Sequence, residues 1–319
     1  MKKTVIAIVA SLIASWLHAA PAATAGKQDK VVVNATKKTQ LAGTQLEDKL
    51  ELDRTSGLCV FIADYVVPKD HELIIREGVK LVFNMKTGLI IRGKLSIFGT
   101  PDAPVIIKGN GSGLNAWTGI KFMRCDESTV SHAHISGALL AIDNEASVLK
   151  FDSTTFYRNT QVADSRERET NLTFSDCLMT ENKRGVHYHF SKANFNGCTI
   201  TDNKEYGVCG AYYGDITFNK CLITRNGFGI HDGGYEGTLV AHVCAIFDNK
   251  KFEIKNDSSV PADCSRNWWG KKNTSVLLTK KGTMTSLPKV IGKSVNIADY
   301  MLEMPSDCGA RDCPQKTIK

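Results

Sequence analysis

A short repeat is the feature of this sequence that most limits its fold. Five seven-residue segments align with one another, and each ends in asparagine. The final residues are Asn159, Asn182, Asn203, Asn226 and Asn249, at intervals of 23, 21, 23 and 23 residues. Three copies continue with glycine and a β-branched residue, at Gly185-Val186, Gly207-Val208 and Gly229-Ile230. A period of about 20 to 25 residues is typical of leucine-rich repeats and of β-solenoids.

The residues inside each copy favour the solenoid. Leucine-rich repeats need leucines at fixed offsets, and these copies mostly lack them. The copies instead contain short alternating runs of β-favouring residues, such as Asp215–Asn219, and no stretch has sustained helical periodicity. Three short strands and tight turns would use one period per coil, and successive coils would stack as parallel strands about 4.8 Å apart. The sequence therefore predicts an all-β protein.

Segments outside the repeat resemble a known superfamily. They are VVPKDHELII and GVKLVF (66–75 and 78–83), then GKLSIFGT, PVII and WTGI (93–100, 104–107 and 117–120), and finally NWWG (267–270). They are similar to the opening and closing coils of the right-handed parallel β-helix, or pectate-lyase-like, superfamily. The resemblance implies a right-handed single-stranded parallel β-helix of about nine coils over residues 58–275. It implies no single activity, because that superfamily mixes lyases, hydrolases, epimerases and adhesins.

The first 25 residues predict export. Lys2 and Lys3 precede an uncharged apolar stretch, and Ala23-Thr24-Ala25 fits a signal-peptidase site. We therefore expect a secreted or periplasmic protein with no membrane span after cleavage. Residues 26–57 are interpreted as an N-terminal segment and cap, and residues 276–319 as a C-terminal extension. The net charge of +7 is too small and too dispersed to indicate nucleic-acid binding.

Ten cysteines are many for a chain of this length. Four of them, Cys177, Cys198, Cys221 and Cys244, recur in one slot of the repeat, and Cys264 extends the column in this interpretation. The alternation predicts that this slot faces the interior, where a small thiol packs well. The sequence leaves open whether one or two disulfides join cysteines of neighbouring coils. Cys308 is expected to pair with Cys313. The asparagine column is interpreted as structural, through left-handed backbone and amide hydrogen bonds between coils.

A second column is expected to face outward. His187, Cys209 and His231 each follow the inward β-branched residue of their copy by one position. Three interpretations stay open: a merely solvated face, a sugar-binding or catalytic groove, and a His187–Cys209–His231 divalent-metal site. No other cofactor is expected. The two histidines would lie about 10 Å apart, so a shared ion would need Cys209 or His189 as well.

The groove interpretation assigns roles to neighbouring residues. His187 or His231 would be the acid/base, Tyr235 a second proton carrier, and Arg184 the group that neutralises a uronate. Asp232 and Glu236 could supply a carboxylate pair. The remaining predicted substrate-binding residues are Tyr188, His189, Tyr212 and Tyr213. The clustered aspartates of pectate lyases have no counterpart here, so no family catalytic residue can be transferred.

Two functions follow from this reasoning, and whether the protein is an enzyme stays open. The first is an exported protein that binds or cleaves an extracellular or cell-wall polysaccharide, by lyase or hydrolase chemistry. The alternative is a non-catalytic surface, adhesion or structural module. The expected partner is a polysaccharide or a cell-surface glycan, and the protein is expected to be a monomer.

Overall fold

The structure is a computed structural model that describes residues 30–33, 49–168, 170–279, 287–292 and 294–310. The predicted signal peptide and Cys313 lie outside these residues, so the expectations about export and about a Cys308–Cys313 disulfide stay predictions. Within the described residues, no helix is both long and apolar enough to cross a bilayer.

The described elements are mostly strands of three to five residues. The first third contains β1 (Lys30–Val33), β2 (Lys49–Leu52), a 3-10 turn (Arg54–Ser56), β3 (Leu58–Phe61), β4 (Tyr65–Val67), β5 (Glu72–Arg76), β6 (Lys80–Phe83), β7 (Gly88–Ile91), β8 (Lys94–Phe98), β9 (Val105–Gly109) and β10 (Gly119–Met123). The middle contains β11 (Ser128–Ser131), β12 (Ala133–Ser136), β13 (Ile142–Glu145), β14 (Val148–Asp152), β15 (Thr155–Tyr157), β16 (Gln161–Arg166), β17 (Asn171–Ser175), β18 (Leu178–Thr180), β19 (Arg184–His189), β20 (Lys192–Asn196) and β21 (Thr199–Thr201). The last part contains β22 (Val208–Tyr212), β23 (Asp215–Asn219), β24 (Leu222–Thr224), β25 (Ile230–Gly234), β26 (Leu239–His242), β27 (Ala245–Phe247), β28 (Ile254–Asn256), β29 (Ala262–Asp263), α1 (Gly270–Thr279), β30 (Val290–Gly292) and β31 (Val295–Asn296).

In the described part of the chain these strands form three parallel sheets, two of ten strands and one of eleven. Sheet 1 contains every third strand from β3 to β27, sheet 2 every third strand from β4 to β28, and sheet 3 every third strand from β2 to β29. Each coil therefore gives one strand to each sheet before it rises to the next coil. The predicted all-β parallel β-helix is confirmed, with about nine coils of roughly 23 residues.

The asparagine ladder is confirmed as a structural device. The Oδ1 atom of Asn182 accepts hydrogen bonds from the backbone N and the Nδ2 of Asn159, at 2.9 and 3.1 Å. The same pattern repeats upward to Asn249, and every member is buried. The expected left-handed backbone lies one residue earlier, for example at Glu181 with φ of 54° and Arg225 with φ of 57°. The hydrogen bonds of its side-chain amide hold each asparagine in place, and its own backbone is not left-handed.

The thiol column faces inward as predicted. Cys177, Cys198, Cys221 and Cys244 are fully buried. All nine cysteines in the described residues are free, so the vertical disulfides considered from sequence are not formed there. The prediction that Cys264 extends the thiol column was wrong. Ala245 pairs with Trp268, so the residue that follows Cys244 in the column is Asn267. The Asn267 side chain accepts a hydrogen bond from the Cys244 backbone N at 2.8 Å.

An aromatic stack fills the interior beneath sheet 3. Consecutive rings of Phe151, Phe174, Phe195 and Phe218 stack with centroids 5.0, 5.1 and 4.8 Å apart. Ala241 continues this column, and the pairing of Val240 with Asp263 places Cys264 next to Ala241 in the following coil. Cys264 therefore continues this interior column as a small apolar filler.

The C-terminal segment runs back along the edge of sheet 1. Its contacts are Cys308 Sγ to Val243 O at 3.0 Å, Gly309 N to Lys220 O at 2.9 Å and Ala310 N to Thr199 Oγ1 at 2.9 Å. Three successive coils are thus joined by one strap, defined here as residues 305–310.

Candidate functional site

One outward column of sheet 2 contains the three residues that the repeat predicts to point outward, together with four charged residues. In register, its members are Lys121, Asp143, Asp164, His187, Cys209, His231 and Lys255. We call this column the histidine face. All seven side chains are half-buried, since each points outward but lies between its neighbours in the coils above and below.

Asp164 and two histidines form the tightest cluster on the histidine face. The His187 Nδ1 and His189 Nε2 atoms are 3.0 Å apart. The Oδ1 atom of Asp164 lies 3.5 Å from the first nitrogen and 3.7 Å from the second. His187 and His189 are two residues apart on β19 and so share its outer side, while Asp164 is the register partner of His187 on β16. Among the described residues this trio could hold a metal ion.

Neighbouring charges hold the Asp164 carboxylate in place. Arg166 reaches the other carboxylate oxygen, Oδ2, at 4.0 Å, and it also makes a close ion pair with Asp143. Oδ1 is buried and has no hydrogen-bond partner. Burial opposes ionisation of Asp164, but its interactions with His187 and Arg166 outweigh this effect and hold its pKa below the usual range. Burial and the neighbouring His187 lower the pKa of His189. The cluster therefore combines a carboxylate with an imidazole that favours its neutral form.

His231 lies in a different set of contacts. Its Nε2 atom is 2.9 Å from Asp257 Oδ2, and its Nδ1 atom is 3.9 Å from Cys209 Sγ. Lys255 pairs with the same Asp257 oxygen at 2.5 Å. A carboxylate that orients an imidazole is the arrangement of a general base. Burial raises the pKa of Cys209 to about 11, so the thiol stays protonated at neutral pH.

Four aromatic rings, three of them exposed, lie at the end of the same strands. Phe190, Tyr212, Tyr213 and Tyr235 follow or end β19, β22 and β25, and we call them the aromatic corner. The tyrosines are 45%, 48% and 67% exposed in that order. Phe190 stacks on Tyr212 at 4.9 Å, and the Tyr235 ring lies 6.5 and 6.4 Å from those of Tyr212 and Tyr213. The corner is linked to the histidine face, because the His189 ring lies 5.7 Å from that of Tyr212.

A second aromatic ladder borders the other side of the histidine face. Tyr206, Phe228 and Phe252 precede β22, β25 and β28, and their rings stack at 5.5 and 4.8 Å. The His231 ring packs edge-on against Phe228 and Phe252, each at 5.9 Å. The histidine face is therefore a polar strip between two rows of aromatic side chains.

Two predicted site residues lie inside the coils. Tyr188 is fully buried and Asp232 is 1% exposed, so neither can contact a ligand on the surface. The reason is the strand alternation itself: His187 and His231 point outward, so the residue that follows each of them points inward. Tyr188 lies over Gly210, where an added Cβ would meet its hydroxyl oxygen at 2.2 Å. Their burial does not support the predicted roles of Tyr188 in substrate binding and of Asp232 in catalysis.

Arg184 and Glu236 do not take the positions predicted for them. Arg184 Nε lies 3.7 Å from Glu205 Oε2, so its charge already has a partner. Glu236 is exposed beyond the end of β25, while Asp232 faces the interior. The pair of carboxylates proposed for glycosidase chemistry is therefore not assembled on one surface.

A cavity of about 780 Å³ opens beside the aromatic corner. Its lining residues are Arg124, Cys125, Ala146, Glu167, Arg168 and Phe190. At its edge, the Nη2 atom of Arg124 donates to both carboxylate oxygens of Glu167, each at 2.8 Å. No sequence pattern pairs Glu167 with Arg124, which lies two coils earlier in the chain.

The predicted metal trio of His187, Cys209 and His231 does not converge. These residues occupy three successive coils of one column, and the ligand atoms that come together are those of Asp164, His187 and His189. Sequence reasoning missed Asp164 and Asp257, since neither belongs to a repeat copy that carries the glycine and β-branched pair.

Comparison with known proteins gives a fold-level likeness. No protein-family model and no curated protein matches the chain. A solved structure, the A-module of a mannuronan C-5 epimerase from Azotobacter vinelandii, is similar with a TM-score of 0.31 and 10% sequence identity. The likeness covers 77% of this chain and 90% of that chain. The assignment of this chain to the parallel β-helix fold rests on its own three sheets.

Proposed function

We propose that this protein binds a polysaccharide along the histidine face and the aromatic corner. The observation that carries the proposal is the set of exposed tyrosine rings, Tyr212, Tyr213 and Tyr235, beside a polar column. Exposed aromatic clusters on soluble proteins mark binding sites, and the apolar faces of sugar rings pack on aromatic side chains. The cell compartment in the proposal is the periplasm or the cell exterior, in line with the N-terminal signal pattern.

The histidine face supplies the polar part of such a site. Its members include both donors and acceptors over several coils, from Lys121 and Asp143 to His231 and Lys255. A glycan chain presents hydroxyl groups at regular intervals, and side chains repeated in register can bond to them one coil after another. The two aromatic rows limit lateral movement of a chain that lies along this strip.

Cleavage of the bound glycan is the finer form of the proposal. His231 would be the acid/base, because Asp257 orients its imidazole from 2.9 Å and the ring is half-buried beside the binding strip. Tyr235, the most exposed of the three tyrosines, would contact the substrate next to it. Lyases and hydrolases both need an acid/base residue of this kind.

Binding is tested with a panel of neutral and uronate polysaccharides by affinity electrophoresis and calorimetry. Tyr212→Ala and Tyr235→Ala should each weaken binding about tenfold, the equivalent of about 1.4 kcal/mol. Phe98→Ala is the matched control, since Phe98 is 41% exposed on sheet 3, away from the strip. Binding that is absent for every polysaccharide, or that Phe98→Ala weakens as much, would contradict the proposal.

Cleavage is tested on any polysaccharide that binds. New reducing ends report hydrolysis, and absorbance of unsaturated uronates reports elimination. His231→Ala should abolish product while leaving binding within about twofold, because the aromatic contacts supply most of the affinity in this proposal. Binding without product in the wild-type protein would instead assign a non-catalytic glycan-binding module.

A further inference from the structure

Three ligand atoms converge on one point of the histidine face. The distances among His187 Nδ1, His189 Nε2 and Asp164 Oδ1 are 3.0, 3.5 and 3.7 Å. In a tetrahedral zinc site with bonds of about 2.0 to 2.1 Å, ligand atoms lie about 3.3 to 3.4 Å from one another. The three measured distances are centred on that value.

We propose that Asp164, His187 and His189 bind one divalent ion of the zinc class, with a coordination position left open to solvent. Two imidazoles and one carboxylate are the protein ligands of many zinc sites that keep an open position. Calcium is disfavoured, because it takes six to eight oxygen ligands and this cluster offers mainly nitrogen.

The surroundings fix the ligands before an ion arrives. Arg166 holds the Oδ2 side of the Asp164 carboxylate, which leaves the buried Oδ1 without a hydrogen-bond partner and directed at the two histidines. The His187 ring lies 6.4 Å from that of Tyr206, and the His189 ring 5.7 Å from that of Tyr212. The Arg166 contact is an outer-shell partner of the kind that orients a ligand, and the two rings restrict the rotation of the imidazoles.

The positions of the three proposed ligands on β16 and β19 set the distances between them. His187 and His189 share the outer side of β19, and Asp164 is directly beside His187 on β16. The cluster therefore draws on two adjacent strands, which come within about 4.8 Å of each other. The proposed ion site goes beyond the proposed glycan function, and it can be present whether or not the protein binds a polysaccharide.

The test measures metal content and affinity on the full chain. The protein is stripped with a chelator, titrated with ZnCl₂ by calorimetry, and analysed for metal after dialysis. We expect one zinc ion per chain, a higher melting temperature with zinc, and no comparable effect of CaCl₂. The Co²⁺ form should show the visible d–d absorption of a low-symmetry site with nitrogen and oxygen ligands.

Variants assign the ligands. Asp164→Asn and His189→Gln should each weaken zinc binding about 100-fold or more, because loss of an outer-shell partner alone costs 10- to 100-fold. His231→Gln and Cys209→Ser should leave it unchanged, which separates this site from the His187–Cys209–His231 alternative. His242→Gln is a matched control, since His242 lies 2.9 Å from Asp263 on sheet 3 without a second histidine.

Two results would overturn the proposal. One is zinc binding that stays at wild-type strength in both Asp164→Asn and His189→Gln. The other is the absence of bound zinc, and of any Co²⁺ spectrum, in a wild-type protein whose circular dichroism shows it folded. The melting temperatures of the metal-free variants show whether each is folded, and His187→Gln provides a third ligand variant if one is not.

Discussion

Asp232 places a carboxyl group inside the coils, next to Tyr188. Its Oδ1 atom accepts a hydrogen bond from Gly234 N at 3.1 Å, while Oδ2 is buried without a partner. Burial raises the pKa of Asp232 above its usual value. A carboxyl with a raised pKa in the folded state binds more protons there, so its contribution to stability falls as pH rises through that range.

Asp232→Asn should therefore stabilise the protein at neutral pH. We expect the free energy of unfolding at pH 7 to rise by about 1 kcal/mol, because the amide carries no buried charge and can donate to a neighbour. The gain should shrink as the pH falls through the raised pKa of Asp232, because the wild-type carboxyl then becomes protonated. Urea unfolding measured from pH 7 downward tests this, with Asp202→Asn as control. Asp202 instead pairs with Arg225 at 2.7 Å, so its replacement should not stabilise.

His134, which lies away from the histidine face, is expected to make the stability of the protein depend on pH. Burial lowers its pKa from 6.5, so the folded protein binds fewer protons than the unfolded chain in that range. Stability should therefore fall as the pH drops below about 6.5, through the protonation of the unfolded histidine. His134→Gln should flatten the pH dependence of the unfolding free energy between pH 7 and 5. An unchanged slope in the variant would contradict this assignment.

Single residues also show where sequence reasoning succeeded and failed. The alternation predicts that His187 and His231 point outward, and the same alternation places Tyr188 and Asp232 inward. Sequence proximity to the two histidines is therefore a poor guide to the roles of Tyr188 and Asp232. Asp164 lies five residues after its ladder asparagine, as His187 and His231 do after theirs. That offset was a usable signal. The Arg124–Glu167 pair had none, because a turn residue's partner depends on the coil geometry.

At the scale of elements, the asparagine ladder ties successive turns together. Asn203 accepts two hydrogen bonds from Asn182, at 3.2 and 3.0 Å, and donates to Met179 O and to Asn226 Oδ1. Replacing it leaves buried backbone and amide groups unpaired on both sides. Because the ladder is buried, bulk solvent cannot readily replace the missing partner, as it can at an exposed turn.

Asn203→Ala should lower the free energy of unfolding by about 3 kcal/mol, since each buried group left unpaired costs about 1 to 3 kcal/mol. Asn196→Ala is the matched control, because Asn196 is exposed at the end of β20 and should change stability little. Chemical denaturation of the three proteins measures the difference. Equal effects of the two substitutions would show that the ladder is not a major source of stability.

At the scale of the whole molecule, the strap ties three coils at the edge of sheet 1. Gly309 has φ of 93°, and a Cβ added there would lie 2.6 Å from Thr199 Oγ1. A side chain at this position is therefore both strained and obstructed, and we expect it to release the strap from the coils.

Gly309→Ala should lower the free energy of unfolding by about 1 to 3 kcal/mol and make Cys308 react several-fold faster with an alkylating reagent. Peptide mass spectrometry of the alkylated protein separates Cys308 from the other thiols. Gly113→Ala is the control, since an added Cβ at Gly113 meets no atom within 4 Å. Unchanged reactivity of Cys308 in Gly309→Ala would show that the strap tolerates the substitution.

The thiol column has a kinetic consequence for how this protein reaches its native form. Burial raises the pKa of Cys198 and Cys244, which keeps these thiols protonated and unreactive once the coils have closed. Before closure the same residues are accessible to solvent, and coils that begin to stack bring their Cα atoms close to disulfide range. In an oxidising compartment, the relative rates of coil closure and thiol oxidation would therefore decide which covalent form of the chain accumulates.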